Sequence, residues 1–174
     1  MELLAFILST LGLISVTSAS LIKGKRMALI LLLVFGGNIL YATSYVVDGS
    51  GINGAASCYL GGALAIVGFF FDKKGIKPPK WIPPLYAALF IAVNVIFGTD
   101  LILTLLAILA TMCFVMSIGQ PNGAKYRFWT TANLVLWVTF DIVSGTYSTL
   151  YAHVIQLTCT IIGMIIYDRK KANA

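Results

Sequence analysis

Seven long apolar blocks run along the chain, separated by short stretches that carry charge, glycine or proline. They cover residues 3–22, 27–47, 52–71, 82–98, 101–118, 128–144 and 147–167. About 20 apolar residues in helical form cross the roughly 30 Å hydrocarbon layer of a bilayer. In lipid every backbone amide needs an internal partner, which leaves helices or a closed barrel. Barrel strands alternate apolar and polar residues, and these blocks do not. The pattern therefore predicts an all-α membrane protein with seven transmembrane helices. The breaks carry stop signals: Lys23-Gly24-Lys25-Arg26, Asp48-Gly49-Ser50-Gly51, Asp72-Lys73-Lys74 with Pro78-Pro79, Gly98-Thr99-Asp100, the polar Gly119–Arg127 stretch, and Ser144-Gly145. Links this short hold successive helices antiparallel.

Composition agrees. The chain has 174 residues, 59% hydrophobic and 10% charged, against about 25% charged in a soluble domain that must face water. The net charge of +6 would suggest nucleic acid in a soluble chain. Here all twelve basic residues lie in alternate connections and the C-terminal tail: Lys23, Lys25 and Arg26; Lys73, Lys74, Lys77 and Lys80; Lys125 and Arg127; Arg169, Lys170 and Lys171. Seven crossings put them all on one side, which the positive-inside rule makes cytoplasmic, with the N-terminus outside. Nucleic acid is not an expected partner; the bilayer is. Met1-Glu2 offers no basic start for a signal peptide, so the first block is kept as a helix. Cys58, Cys113 and Cys159 all fall inside apolar blocks, which fits packing rather than a disulfide framework or zinc.

A shift of 96 residues aligns the chain with itself. Phe71-Asp72-Lys73-Lys74 falls on Tyr167-Asp168-Arg169-Lys170, Leu40-Tyr41-Ala42-Thr43 on Leu136-Trp137-Val138-Thr139, and Val47-Asp48-Gly49 on Val143-Ser144-Gly145. Spans one to three overlie spans five to seven, and span four is left over. One extra crossing is what two like-oriented three-helix units need, an arrangement that sets a transport site near midplane between the halves. The expected organisation is a first unit at 1–74, a linker helix within 75–100 and a second unit at 101–174, a 3+1+3 parallel repeat.

Gly37-Asn38-Ile39-Leu40-Tyr41 and the run Asn133 to Gly145 resemble the YgjV-like bacterial inner-membrane family, related to the SWEET and PnuC-type transporters. The resemblance implies a SWEET/PnuC-like fold in the inner membrane and transport of a small sugar- or vitamin-like solute. SWEET-type proteins place an aromatic on the second helix of each unit and an amide on the third. The matching positions are Trp137 with His153 and Tyr41 with Ser57, so His and Ser stand where that family has the amide. The mid-helix prolines of the sugar transporters are absent; Pro78, Pro79, Pro83, Pro84 and Pro121 lie in loops or at a helix start.

Polar groups inside the spans are the candidate chemistry, because a charge at the bilayer centre costs at least about 2.5–3.5 kcal/mol. Trp137 and His153 flank their turn at similar distances, so both sit roughly 10 Å below the outer surface; Tyr41 and Ser57 do the same. Candidate substrate-binding residues are Trp137, His153, Tyr41, Ser57, Gln156, Asn38 and Asn133. Trp137 fits an interfacial belt as well as a cavity, and His153 a ring bonded to a backbone carbonyl as well as a solute ligand. Asn38 and Asn133 suit hydrogen bonds between helices. Asp141 and His153 are the proton-coupling candidates, helix capping or interface exposure being the other account of Asp141. Gly36-Gly37 and Gly61-Gly62 predict close helix contact. With a single histidine, no multi-histidine metal site is expected, and no cofactor. No phosphate loop or HExxH pair points to an enzyme. Two functions stay open: a small-solute facilitator working by alternating access, and a non-transporting assembly or regulatory protein. A homo-oligomer is open in either.

Overall fold

The computed structural model describes residues 2–22, 27–48, 52–98, 100–145 and 147–168. Every regular element among them is a helix: α1 Glu2–Leu21, α2 Met27–Asp48, α3 Ile52–Lys73, α4 Ile82–Phe97, α5 Leu101–Ile118, α6 Gly123–Ser144 and α7 Tyr147–Tyr167. Five of them, α1, α2, α3, α5 and α7, are long and apolar enough to cross a membrane. The other two fall short of the expected seven for different reasons. With 16 residues, α4 reaches only about 24 Å. The 22-residue α6 is long enough, but Lys125, Arg127, Asn133 and Asp141 dilute its apolar character.

The helix ends follow local chemistry. Asp100 caps α5, its side chain accepting from the Leu103 amide at 3.0 Å. Asn122 caps α6 in the same way through the Lys125 amide at 3.1 Å. Ending α6, Gly145 adopts φ 73° and donates to the Asp141 carbonyl; only glycine enters that region without strain. Pro83 and Pro84 lie in the first turn of α4, where a missing amide hydrogen costs nothing. The Asn122 cap starts α6 five residues before the apolar block does. Arg127 therefore belongs to the helix, correcting its reading as a loop residue.

In the chain's packing, α2 lies between α1 and α3, and α6 between α5 and α7. The two groups meet where α1 touches α7 and where α3 touches α5, while α4 rests on α3 and α5. The main core joins Ala19, Ile30, Val34, Leu64, Phe90 and Tyr126; a smaller one joins Leu13, Val16, Tyr41 and Ala152. Glycines set the closest approaches. A Cβ on Gly37 would collide with the Val16 side chain, and one on Gly12 would lie 3.2 Å from the Gly37 carbonyl oxygen. Across α2 and α3, a Cβ on Gly61 would stand 2.9 Å from Asn38 Oδ1.

Polarity is inverted relative to a water-soluble protein. Leu, Ile, Val and Phe side chains cover the outside, while Ser9, Ser20, Ser44, Ser57, Thr111, Asn133, Asp141, Gln156 and Thr160 are buried. An apolar exterior around an interior that mixes apolar and polar groups suits hydrocarbon as solvent and is compatible with an integral membrane protein.

Candidate functional site

A cavity of about 80 Å³ lies between the two helix groups, larger than the roughly 10–15 Å³ that one buried water needs. Residues of both groups line it: Asn38, Tyr41 and Ser57 from α2 and α3; Asn133, Trp137, His153 and Gln156 from α6 and α7. All seven candidate binding residues thus share one chamber, although they are up to 118 positions apart in the chain. Its lining contains no lysine or arginine.

The aromatic and ionisable groups are ordered around His153. Its ring stacks on Trp137 at 5.9 Å between centroids, with 21° between planes. Tyr41 of the other helix group stands tilted at 6.3 Å. Nδ1 of the same imidazole lies 2.6 Å from Asp141 Oδ2. An ionised carboxylate only accepts hydrogen bonds, so with Asp141 ionised the ring donates from Nδ1 and Nε2 is the nitrogen left for the cavity. The second carboxylate oxygen, Oδ1, accepts from Thr149 Oγ1 at 2.9 Å. Asp141 itself is 1% exposed and does not line the chamber. Its side chain is buried rather than exposed at the interface, and its backbone carbonyl receives the capping amide of Gly145. The carbonyl-bonded account of His153 likewise gives way to a carboxylate partner.

Tyr41 Oη and Ser57 Oγ are buried without a protein hydrogen-bond partner, and both residues line the chamber. The two asparagines differ. Asn133 Nδ2 crosses to the Ala110 carbonyl of α5 at 2.7 Å, an interhelical bond. Asn38 Nδ2 instead donates to Val34 on its own helix at 2.8 Å. The cavity wall also includes Cys58. Cys58, Cys113 and Cys159 are free, and no cluster able to hold a metal occurs among the described residues.

A second polar centre sits at the other end of α6, and nothing in the sequence singled it out. Arg127, 2% exposed, grips Asp168 with Nη2 at 2.6 Å and Nε at 3.0 Å. Nη1 reaches the carbonyls of Ile22 at 3.0 Å and Ser20 at 3.4 Å. The guanidinium also lies 5.6 Å from the Tyr167 ring centre. One planar fork thus closes the end of α1, the start of α6 and the end of α7. The signal that could have found it is the Asn122 cap, which makes Arg127 helical, between Tyr126 and Phe128. Thr149 was missed too, though it stands one turn before His153 on the same face.

Compared with protein-family models, curated proteins and solved structures, the chain matches none of them.

Proposed function

We propose that this protein is a small-solute facilitator with seven membrane crossings, its two three-helix units rocking about the central chamber in alternating access. One observation carries the reading: a polar, aromatic-walled chamber bounded by both helix groups, with two buried hydroxyls, those of Tyr41 and Ser57, lacking a protein partner. Leaving such a group unsatisfied costs about 1–3 kcal/mol, so a hydroxyl- or amide-bearing solute and its water are suited to fill it. The 3+1+3 plan is supported by the packing. Among the six helices of the two units, exchanging α1, α2 and α3 with α5, α6 and α7 leaves the neighbours unchanged, the α1–α7 contact becoming α5–α3, whereas α4 rests on α3 and α5 alone and breaks the symmetry. In the repeat register α4 is the unpaired helix. The interior groups of α6 are covered by its neighbours, which lets a comparatively polar helix lie in the bundle.

A YgjV-like kinship with SWEET and PnuC-type proteins, and a place in the bacterial inner membrane, belong to the same proposal. So does a binding rather than a catalytic role. The test is uptake into proteoliposomes of a panel of sugars, nucleosides and pyridine vitamins. Transport of one of them, lost in Trp137→Ala and His153→Ala with folding intact, is the expected outcome. No flux and no thermal stabilisation by any of the panel would refute it and leave an assembly or regulatory role.

A further inference from the structure

We infer that the Asp141–His153 pair is the chamber's proton-binding site, with the proton held at Nε2 of His153, and that its occupancy controls how the solute is bound. This rests on the facilitator reading for the solute, but not for the proton. The geometry assigns the parts. Asp141 is buried and fixed through Thr149 Oγ1 and His153 Nδ1, so the ring cannot rotate without losing the carboxylate. His153 lines the chamber while Asp141 lies behind it, which leaves the chamber as the side from which a proton arrives.

Charge gives the reason. With a neutral imidazole and an ionised carboxylate the pair carries one negative charge in an apolar bundle; one proton on Nε2 brings it to zero. The resulting imidazolium is stacked on the face of Trp137, where an indole attracts a cation. Among the described residues, the titratable groups coupled to Asp141 are Tyr41 and Tyr45 on α2, which in turn feel Cys58 on α3 and Tyr151 on α7. None of these is a cation, so none supplies the compensating charge.

Protonation also inverts the hydrogen-bonding sense of the site. Neutral His153 offers Nε2 as an acceptor, suited to a solute N–H or O–H; protonated His153 offers a donor, suited to a carbonyl or ring nitrogen. Solute and proton are coupled at one atom, which makes the selected solutes depend on pH.

The proton is tested without any solute. In a Trp81→Phe, Trp129→Phe background Trp137 is the sole tryptophan, and an imidazolium stacked on indole quenches its emission. Emission of the purified full-length protein in nanodiscs is expected to fall as pH is lowered, the step being lost in His153→Gln and changed in Asp141→Asn. Both replacements keep a hydrogen-bonding side chain of similar size, and matched thermal unfolding confirms folding. Emission indifferent to pH, or a step that survives His153→Gln, overturns the proton site. The coupling is read from uptake of the transported solute with and without an inward proton gradient. Uptake that occurs in both cases at one rate overturns the coupling while leaving the facilitator intact. Absence of uptake of every solute refutes the facilitator and with it the coupling, and the emission titration then decides the proton site alone.

Discussion

Replacing Arg127 with methionine removes the guanidinium while keeping a flexible apolar stem of comparable length. Asp168 then loses both of its fork bonds, and the Ser20 and Ile22 carbonyls lose their shared donor. Breaking a buried pair by deleting one partner costs about 3–5 kcal/mol, because a charge is stranded. Asp168 keeps 22% of its side chain exposed, so water relieves part of that charge, and the lower end, about 3 kcal/mol, applies. For a chain of 174 residues this corresponds to a fall in Tm of about 6–12 °C. Arg127→Lys keeps the charge but not the fork, and about 1–2 kcal/mol is expected from the lost bonds. The assay is thermal unfolding of purified protein in one detergent, followed by tryptophan emission, with Asp168→Asn and the double variant completing a cycle. Coupling between the two positions should reach about 1–3 kcal/mol and change little with added salt, as for a pair shielded from solvent. Wild-type stability in Arg127→Met, or no coupling in the cycle, would refute the clamp.

Gly163→Ala tests the same corner sterically. A Cβ there would stand 2.8 Å from the Ser20 carbonyl oxygen and 3.2 Å from Arg127 Cδ, so α1 and α7 must part, and a loss of about 1–3 kcal/mol is expected in the same unfolding assay. The crossing number is tested by membrane-impermeant thiol labelling of a cysteine added to each terminus, in a background where Cys58, Cys113 and Cys159 are Ala. The N-terminal tag is expected to react in intact cells and the C-terminal tag only after permeabilisation. Reaction of both, or of neither, in intact cells contradicts seven crossings.

Helix content and most boundaries were legible in the sequence because both are local, the exception being the start of α6, which lies five residues before its apolar block. Transfer of a residue into hydrocarbon depends on its own side chain, and Asp100, Asn122 and Gly145 mark their helix ends through atoms within four positions. The candidate lining was legible too. Depth in the membrane is a count along a helix, and Trp137, His153, Tyr41 and Ser57, which that count places together, line one chamber.

What depth does not contain is rotation. Each residue turns the helix face by about 100°, so which neighbour a side chain meets is set by packing several helices at once. Asp141 by its position suited exposure at the interface as well as a cap, yet the meeting of α6 with α7 turns it onto His153 and buries it. Asn38 turned onto its own helix where Asn133 crossed to α5. Arg127 counts as one more basic residue in a polar stretch until α1 and α7 bring it two carbonyls and a carboxylate. The apolar blocks and the helices follow from single residues and their order; the pairings that give the interior its chemistry exist only once α1, α6 and α7 are packed, because each partner comes from a different helix.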